Sequence, residues 1–253
     1  MKIRRLFVLA FWLACGQTAA AAAADISARY EFEGGPASLN MAMTLEIDAN
    51  GNERVQMSNQ ASYMLVLGDV TYLVSRGPTG IYVARMDDVV TVLGEKSKSM
   101  GLDKAFAAAP ENPAEKPPVM ASMGPKVVNG RTGTAYGISE NGKRPVYALI
   151  VISDDPKLAP LGVAFAKSFS QSSTLANKMI PGLGSIATYF GEDAALLKKG
   201  APLSLVSMNL SEVSFAHVDD NRFVLPSQPL SIGQIRQQFE SFPEPPTLPA
   251  RAH

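Results

Sequence analysis

Between Met41 and Val92 the chain alternates apolar and polar residues, and turn residues interrupt it too often for a crossover helix to fit. No other stretch limits the fold as much. Met41-Ala42-Met43-Thr44-Leu45-Glu46-Ile47-Asp48 has the period of two that marks a strand with one buried face. Asn50-Gly51 supplies the left-handed backbone of a hairpin turn, with Val55 and Met57 on the return. Three β-rich runs follow, Tyr63–Leu67, Val70–Val74 and Ile81–Met86, punctuated by Gly68-Asp69 and by Arg76-Gly77-Pro78-Thr79-Gly80. Gaps this short predict an antiparallel meander.

The first 24 of the 253 residues read as an export signal rather than as part of the fold. Lys2, Arg4 and Arg5 form a positive start, and Leu6–Ala14 is an apolar run too short to span a bilayer as a stable helix. Ala22-Ala23-Ala24 offers a small-residue cleavage site before Asp25. The alternative is lipid anchoring at Cys15, the only cysteine, within Leu13-Ala14-Cys15-Gly16. Cleavage before Asp25 takes away three positive charges and no acids, which leaves 20 basic and 23 acidic residues. A weakly acidic chain without a basic run has no electrostatic footprint for nucleic acid. It also lacks a disulfide, so its core must hold the fold unaided. The expected address is the periplasm, with no membrane-spanning segment once the signal is removed.

Asp25–Phe32 reads as an opening strand that ends at Gly34-Gly35-Pro36. After the meander, Val89-Val90-Thr91-Val92-Leu93 fits a further strand or a short helix, and β-branching favours the strand. Five prolines in Phe106–Pro125 predict a loop or extended crossing segment. The meander has no helix of its own to cover its apolar face, so the second half is expected to pack back onto the first. There, Lys126–Ser139 and Arg144–Ser153 read as a hairpin turned at Asn141-Gly142, with Tyr147–Ile152 as a central strand covered on both faces. Ser153-Asp154-Asp155-Pro156 has the form of a helix start. Leu158, Leu161, Phe165 and Phe169 follow at helical spacing. Pro181-Gly182-Leu183-Gly184 reads as a joint to a second helix bearing Ile186 and Phe190, capped by Gly200. Leu203–Leu210, Val213–Val218 and Arg222–Leu225 read as strands. Ser231 caps a last helix with Ile232, Ile235 and Phe239, and 241–253 is a proline-rich tail expected to be disordered.

The residues supply little chemistry. His217 and His253 are the only histidines, so a His-rich metal site cannot be built, and no cofactor is expected. Met41, Met43, Met57 and Met64 invite a Cu(I) thioether site, but they also fall on the inward stripe of a sheet, where methionine is an adaptable filler. Ser214, His217 and Asp219 are neighbours in sequence without the Gly-x-Ser-x-Gly elbow that exposes a nucleophile. Asp87-Asp88, Asp154-Asp155 and Asp219-Asp220 sit where turns and helix starts want Asp for local hydrogen bonding. The glycine-rich Gly34-Gly35, Gly77–Gly80 and Gly130–Gly133 precede strands, so neither a P-loop nor a dinucleotide fingerprint is present.

The order of these elements resembles the LolA/LolB-type open β-barrel superfamily, and more closely an uncharacterised family of exported proteobacterial domains related to it. The residues that carry the resemblance are Tyr63–Val66 with Val70–Val74, Gly130–Tyr136, Val151–Pro156, and Gly200–Leu203 before Phe223–Pro226. It implies an α+β fold: an antiparallel, strongly curved open barrel of about eleven strands, with helices set against the concave face. It also implies a single domain over 25–240 and binding of lipid or acyl chains. On this basis the candidate groove residues are Met41, Met43, Leu45, Ile47, Tyr63, Leu65, Leu161, Phe165, Phe169, Ile186 and Phe190. The expected function is a non-enzymatic binding or envelope-maintenance protein whose partner is an apolar small molecule, a lipid or another envelope protein. The alternatives are a hydrolase working through unrecognised carboxylates and a structural partner-binding module with a solid core.

Overall fold

The computed structural model describes residues 25–33, 41–77, 80–99, 119–139, 143–179 and 195–240. Eleven antiparallel strands form one open sheet in the order β6-β5-β4-β3-β2-β1-β11-β10-β9-β8-β7. The meander is as expected: β1 (Ile26–Phe32), β2 (Ala42–Ile47), β3 (Glu53–Met57), β4 (Tyr63–Leu67), β5 (Val70–Gly77) and β6 (Gly80–Arg85) pair in sequence order. Gly51 takes the positive φ of 77° that the β2–β3 turn requires, and Asp48 fastens that turn by accepting from the backbone of Asn50 and Asn52. The second half returns as β7 (Val119–Val128), β8 (Arg131–Ser139), β9 (Ile150–Ser153), β10 (Ala201–Leu205) and β11 (Met208–Ser214). The sheet is joined in its middle, where β11 lies against β1. The second half therefore does pack back onto the first.

Several sequence expectations are corrected. Met86–Ser99 is a helix, α1, and not a strand, although Val89, Val90 and Val92 fall within it. Asp87 and Asp88 lie in its first turn and Lys96 and Lys98 in its last, each matching the local end of the helix dipole. Val89 and Val92 pack with Ala84 and Ile235, so burial along one side outweighs the strand preference of β-branched residues. The expected pairing of the two arms is present, since β8 lies antiparallel to β9, but the first arm, Lys126–Ser139, is itself split by a turn at Asn129-Gly130, between β7 and β8, with φ of 46° and 77°. The expected turn at Asn141-Gly142 lies outside the described residues. The last part of the expected proline-rich loop, Val119–Pro125, belongs to β7. Pro125 fits there because β7 is an edge strand, and the register shifts beside it between Ser122 and Gly124.

β9 is shorter than expected. Only Ile150–Ser153 are in the strand and buried, whereas Val146 and Tyr147 are exposed, and β9 lies third from the edge and not at the centre. Leu203–Leu210 is broken by a tight turn at 206–207 into β10 and β11. Arg222–Leu225 forms no strand, since Asp220–Phe223 is a 3₁₀ turn capped by Asp219.

On the helix start the sequence is a good guide. Asp155 accepts from the backbone of Lys157 and opens a 3₁₀ turn, Pro156–Leu158, that runs directly into α2 (Ala159–Met179). Ser231 caps α3 (Ile232–Glu240) in a reciprocal box: it accepts from the Gln234 N–H while Gln234 accepts from the Ser231 N–H. Helices α1 and α2 lie side by side over one face of the sheet, and α3 packs against α1. The opposite, outer face carries a strap, residues 218–230, that the sequence does not reveal. Arg222 reaches Glu46 on β2 at 2.7 Å, Leu225 packs over Leu65, Val74 and Val83, and the Leu230 N–H bonds to the Val83 carbonyl. The strap thus crosses from β2 to β6 and delivers α3 round the sheet edge.

Candidate functional site

Alternation along each strand, combined with the pairing register, decides which candidates share a face. Met43, Leu45 and Ile47 point to the helix-bearing side, together with Ile26, Ala28 and Tyr30 of β1 and with Leu161 and Phe165 of α2. These eight residues form one packed core. Tyr30 is wholly buried; its ring meets Phe165 edge-on at 5.2 Å, and its hydroxyl donates to the Pro202 carbonyl at 3.0 Å. Burial pushes the Tyr30 phenol far above its ordinary range. At Gly162 the backbone of α2 approaches so closely that an added Cβ would lie 2.3 Å from the Gly200 carbonyl oxygen. Over β1, β2, β9 and β10 this face is therefore closed.

Three of the remaining candidates change place. Met41 precedes β2 and is 37% exposed, outside the packed core. Tyr63 and Leu65 lie on the outer face. The register sets Val55 opposite Met64, so Met64 and Val66 of β4 face the helices, and Tyr63 and Leu65 face the strap. Tyr63 instead carries the guanidinium of Arg54 over its ring at 3.5 Å, beside the Glu46–Arg222 pair. These two residues are thus removed from the groove, because a one-residue step in a strand reverses the face. The side chain of Phe169, and Ile186 and Phe190 with the expected second helix, lie outside the described residues. The end of that helix, 195–197, is described, and Leu196 and Leu197 are buried in the core.

Further along the same face, over β3–β5, packing changes. Met57 lies opposite Met43, Val55 lies between Leu45 and Met64, and Met64 lies opposite Leu73. Val55, Met57, Met64 and Leu73 are only half-buried, and Phe32 and Met208 continue the half-buried strip beyond Met43. Among the described residues, two side-chain hydrogen bonds tie helix α2 to this region. Lys167 Nζ donates to the Gly68 carbonyl at 2.6 Å, and Thr71 Oγ1 donates to Gln171 Oε1 at 2.9 Å. Beneath them lies Glu53, 3% exposed, whose Oε2 has no hydrogen-bond partner among the described residues. Burial pushes its carboxyl up from 4.5 to about 7, against the opposing pull of the Lys167 charge.

Four of the six aspartates considered for catalysis take structural roles. Asp155 and Asp219 cap 3₁₀ turns, and Asp87 and Asp88 open α1. His217 bonds to Asp25 at 2.6 Å and is largely exposed, and Ser214 accepts from the Ala216 backbone, so the three neighbours do not form a relay. Asp25 also accepts from the backbone of Val218 and Ala49, and the Val218 N–H above all holds its carboxyl below the usual range. A shallow polar cavity of about 300 Å³ lies at the β9–α2 connection, between Asp154, Asp155 and Lys157 and the Arg131-Thr132 end of β8.

Fold and face together define a class: an open antiparallel half-barrel with helices laid on one face, closed over its centre and half-open over one side. Comparison with known proteins finds no matching family model, no similar curated protein and no similar solved structure. No described helix is long and apolar enough to cross a membrane.

Proposed function

We propose that the chain is an exported, non-enzymatic binding protein of the bacterial envelope, cut before Asp25, that holds an apolar ligand of the lipid or acyl-chain class. The observation that carries this reading is the half-buried strip of Met57, Met64, Val55 and Leu73 beside the fully packed centre of the same face. Unbranched thioethers adapt to flexible chains where branched side chains would not. A strip of this kind, next to a helix held by two side-chain hydrogen bonds, suits a ligand that enters when the helix lifts. The resemblance to carriers of the open-barrel type points the same way. The test is native mass spectrometry of protein purified from its own envelope, followed by lipid extraction. Co-purifying acyl species, and displacement of a fluorescent fatty acid by them, are expected. Protein that is uniformly ligand-free and ignores the fluorescent probe contradicts the reading.

The closed centre also favours a second reading, a structural module whose outer edges contact a partner. Its exposed edge strand β7, with Val119 and Val127 uncovered, is the feature that supports it. Ligand-free protein that elutes with an envelope partner would support this reading over the first.

A further inference from the structure

The acyl-chain reading leaves the polar end of the ligand unspecified, and β3 carries the feature that supplies it. The inward residues of β3 run Met57, Val55, Glu53. At ~3.3 Å per residue the row is about 13 Å long, apolar at one end and acidic at the other. β2 and β4 present only Ile47 and Val66 directly beside Glu53. From β5 comes the Thr71 hydroxyl, already joined to Gln171 of α2, and from α2 comes Lys167, the charge that acts on the Glu53 carboxyl. Among the described residues, Glu53 is therefore a buried acid with an open hydrogen-bonding valence and one cation, Lys167, acting on it. Such a group is costly to a fold and is tolerated where something satisfies it.

Resting on the acyl-chain reading, we infer that Glu53 and Lys167 are the head-group end of the same site and take the acid group of a single-chain amphiphile. With its proton on, Glu53 donates to the ligand carboxylate, while the Lys167 ammonium balances the charge. The tail then runs over Val55 and Met64 toward Met57. A neutral head forgoes the ion pair, and a cationic one meets Lys167. Helix α2 brings Lys167 to bear on Glu53 and is tied down beside it, so entry breaks the Lys167–Gly68 and Thr71–Gln171 hydrogen bonds, and Lys167 is released to turn onto the ligand. Loss of the Glu53 proton near pH 7 places two carboxylates side by side and weakens binding.

The test uses the full mature chain with lauric acid and 1-dodecanol as probes, titrated calorimetrically at pH 6 and pH 8.5. Laurate is expected to bind more tightly than dodecanol at pH 6 and to lose roughly tenfold or more in affinity at pH 8.5. Lys167→Met should weaken laurate about tenfold and leave dodecanol unchanged, which also shows that the variant is folded. Glu53→Gln should keep laurate at pH 6, because the amide still donates, and remove the loss at pH 8.5. Equal, pH-independent binding of both probes that Lys167→Met does not alter overturns the head-group assignment and leaves the apolar site standing. Binding of neither probe overturns the acyl-chain reading itself.

Discussion

One face of one sheet, covered by α1 and α2, is built in two ways. Over β1, β2, β9 and β10, α2 sits backbone-close at Gly162 and drives Leu161 and Phe165 into a core with Tyr30 and Leu45, all of them buried. Over β3–β5 the same helix is held by two hydrogen bonds above a carboxyl with an unused oxygen and beside half-buried methionines. Packing energy gathers in the first region, where contacts are dense and apolar. The second gives up part of that energy, and sparse packing is the condition under which local opening costs least. A half-barrel can thus be stable without a disulfide and still leave part of its inner face available.

The contrast breaks most visibly at Phe165. Phe165→Ala should cost ~3–5 kcal/mol in denaturant melts, the usual penalty for deleting a buried aromatic. A loss near 1 kcal/mol would show that the centre is as adaptable as the strip. The next effect is one of pH. The Glu53 carboxyl holds its proton more tightly in the folded protein than in the unfolded chain. Its contribution is therefore fully present below about 4.5 and is lost as pH rises toward about 7. Wild-type stability should fall by up to about 3 kcal/mol across that window relative to Glu53→Gln, because each tenfold gain in proton affinity is worth about 1.4 kcal/mol. Parallel curves would mean that Glu53 is not buried as an acid. Gly200→Ala should then cost ~1–3 kcal/mol, because its Cβ would lie 2.0 Å from the Ser153 carbonyl oxygen and the close approach of the 195–200 turn must give way. The smallest stability change belongs to the strip. Met57→Ala should cost on the order of 1 kcal/mol, with its main effect on ligand retention in the native mass spectrum.

Local signals in the sequence carry most of the fold. The meander follows from period-two runs and Gly-bearing turns, the start of α2 from Asp155-Pro156 and the Leu158–Leu161–Phe165 spacing, and the α3 cap from Ser231. Features set by distant contacts are not legible. The valines of α1 are helical because Ala84 and Ile235 bury them, and no local preference announces that. Tyr63 and Leu65 fit a buried stripe equally well on either face, and only the pairing of Val55 with Met64 decides which. The strap over Leu65, Val74 and Val83 is hidden because Arg222–Leu225 reads as one more strand, and nothing local says that it crosses the outer face instead of joining the sheet. Within the site, Glu53 reads in the sequence as one more acid near a turn. Its position two residues before Val55, on the stripe that leads to Met57, is the available signal, since an acid in phase with an inward apolar row is out of place unless it has a task.

The two-region account is tested most directly at the methionine methyls. In protein spanning 25–253, labelled at methionine ε-CH₃ and titrated with lauric acid at pH 6, the signals of Met57 and Met64 should shift strongly and Met43 weakly. Met120, on the edge strand β7 at the far end of the sheet, should stay in place. Unmoved Met57 and Met64 signals at saturating laurate, or equal shifts at Met120, would contradict a ligand surface over β3–β5.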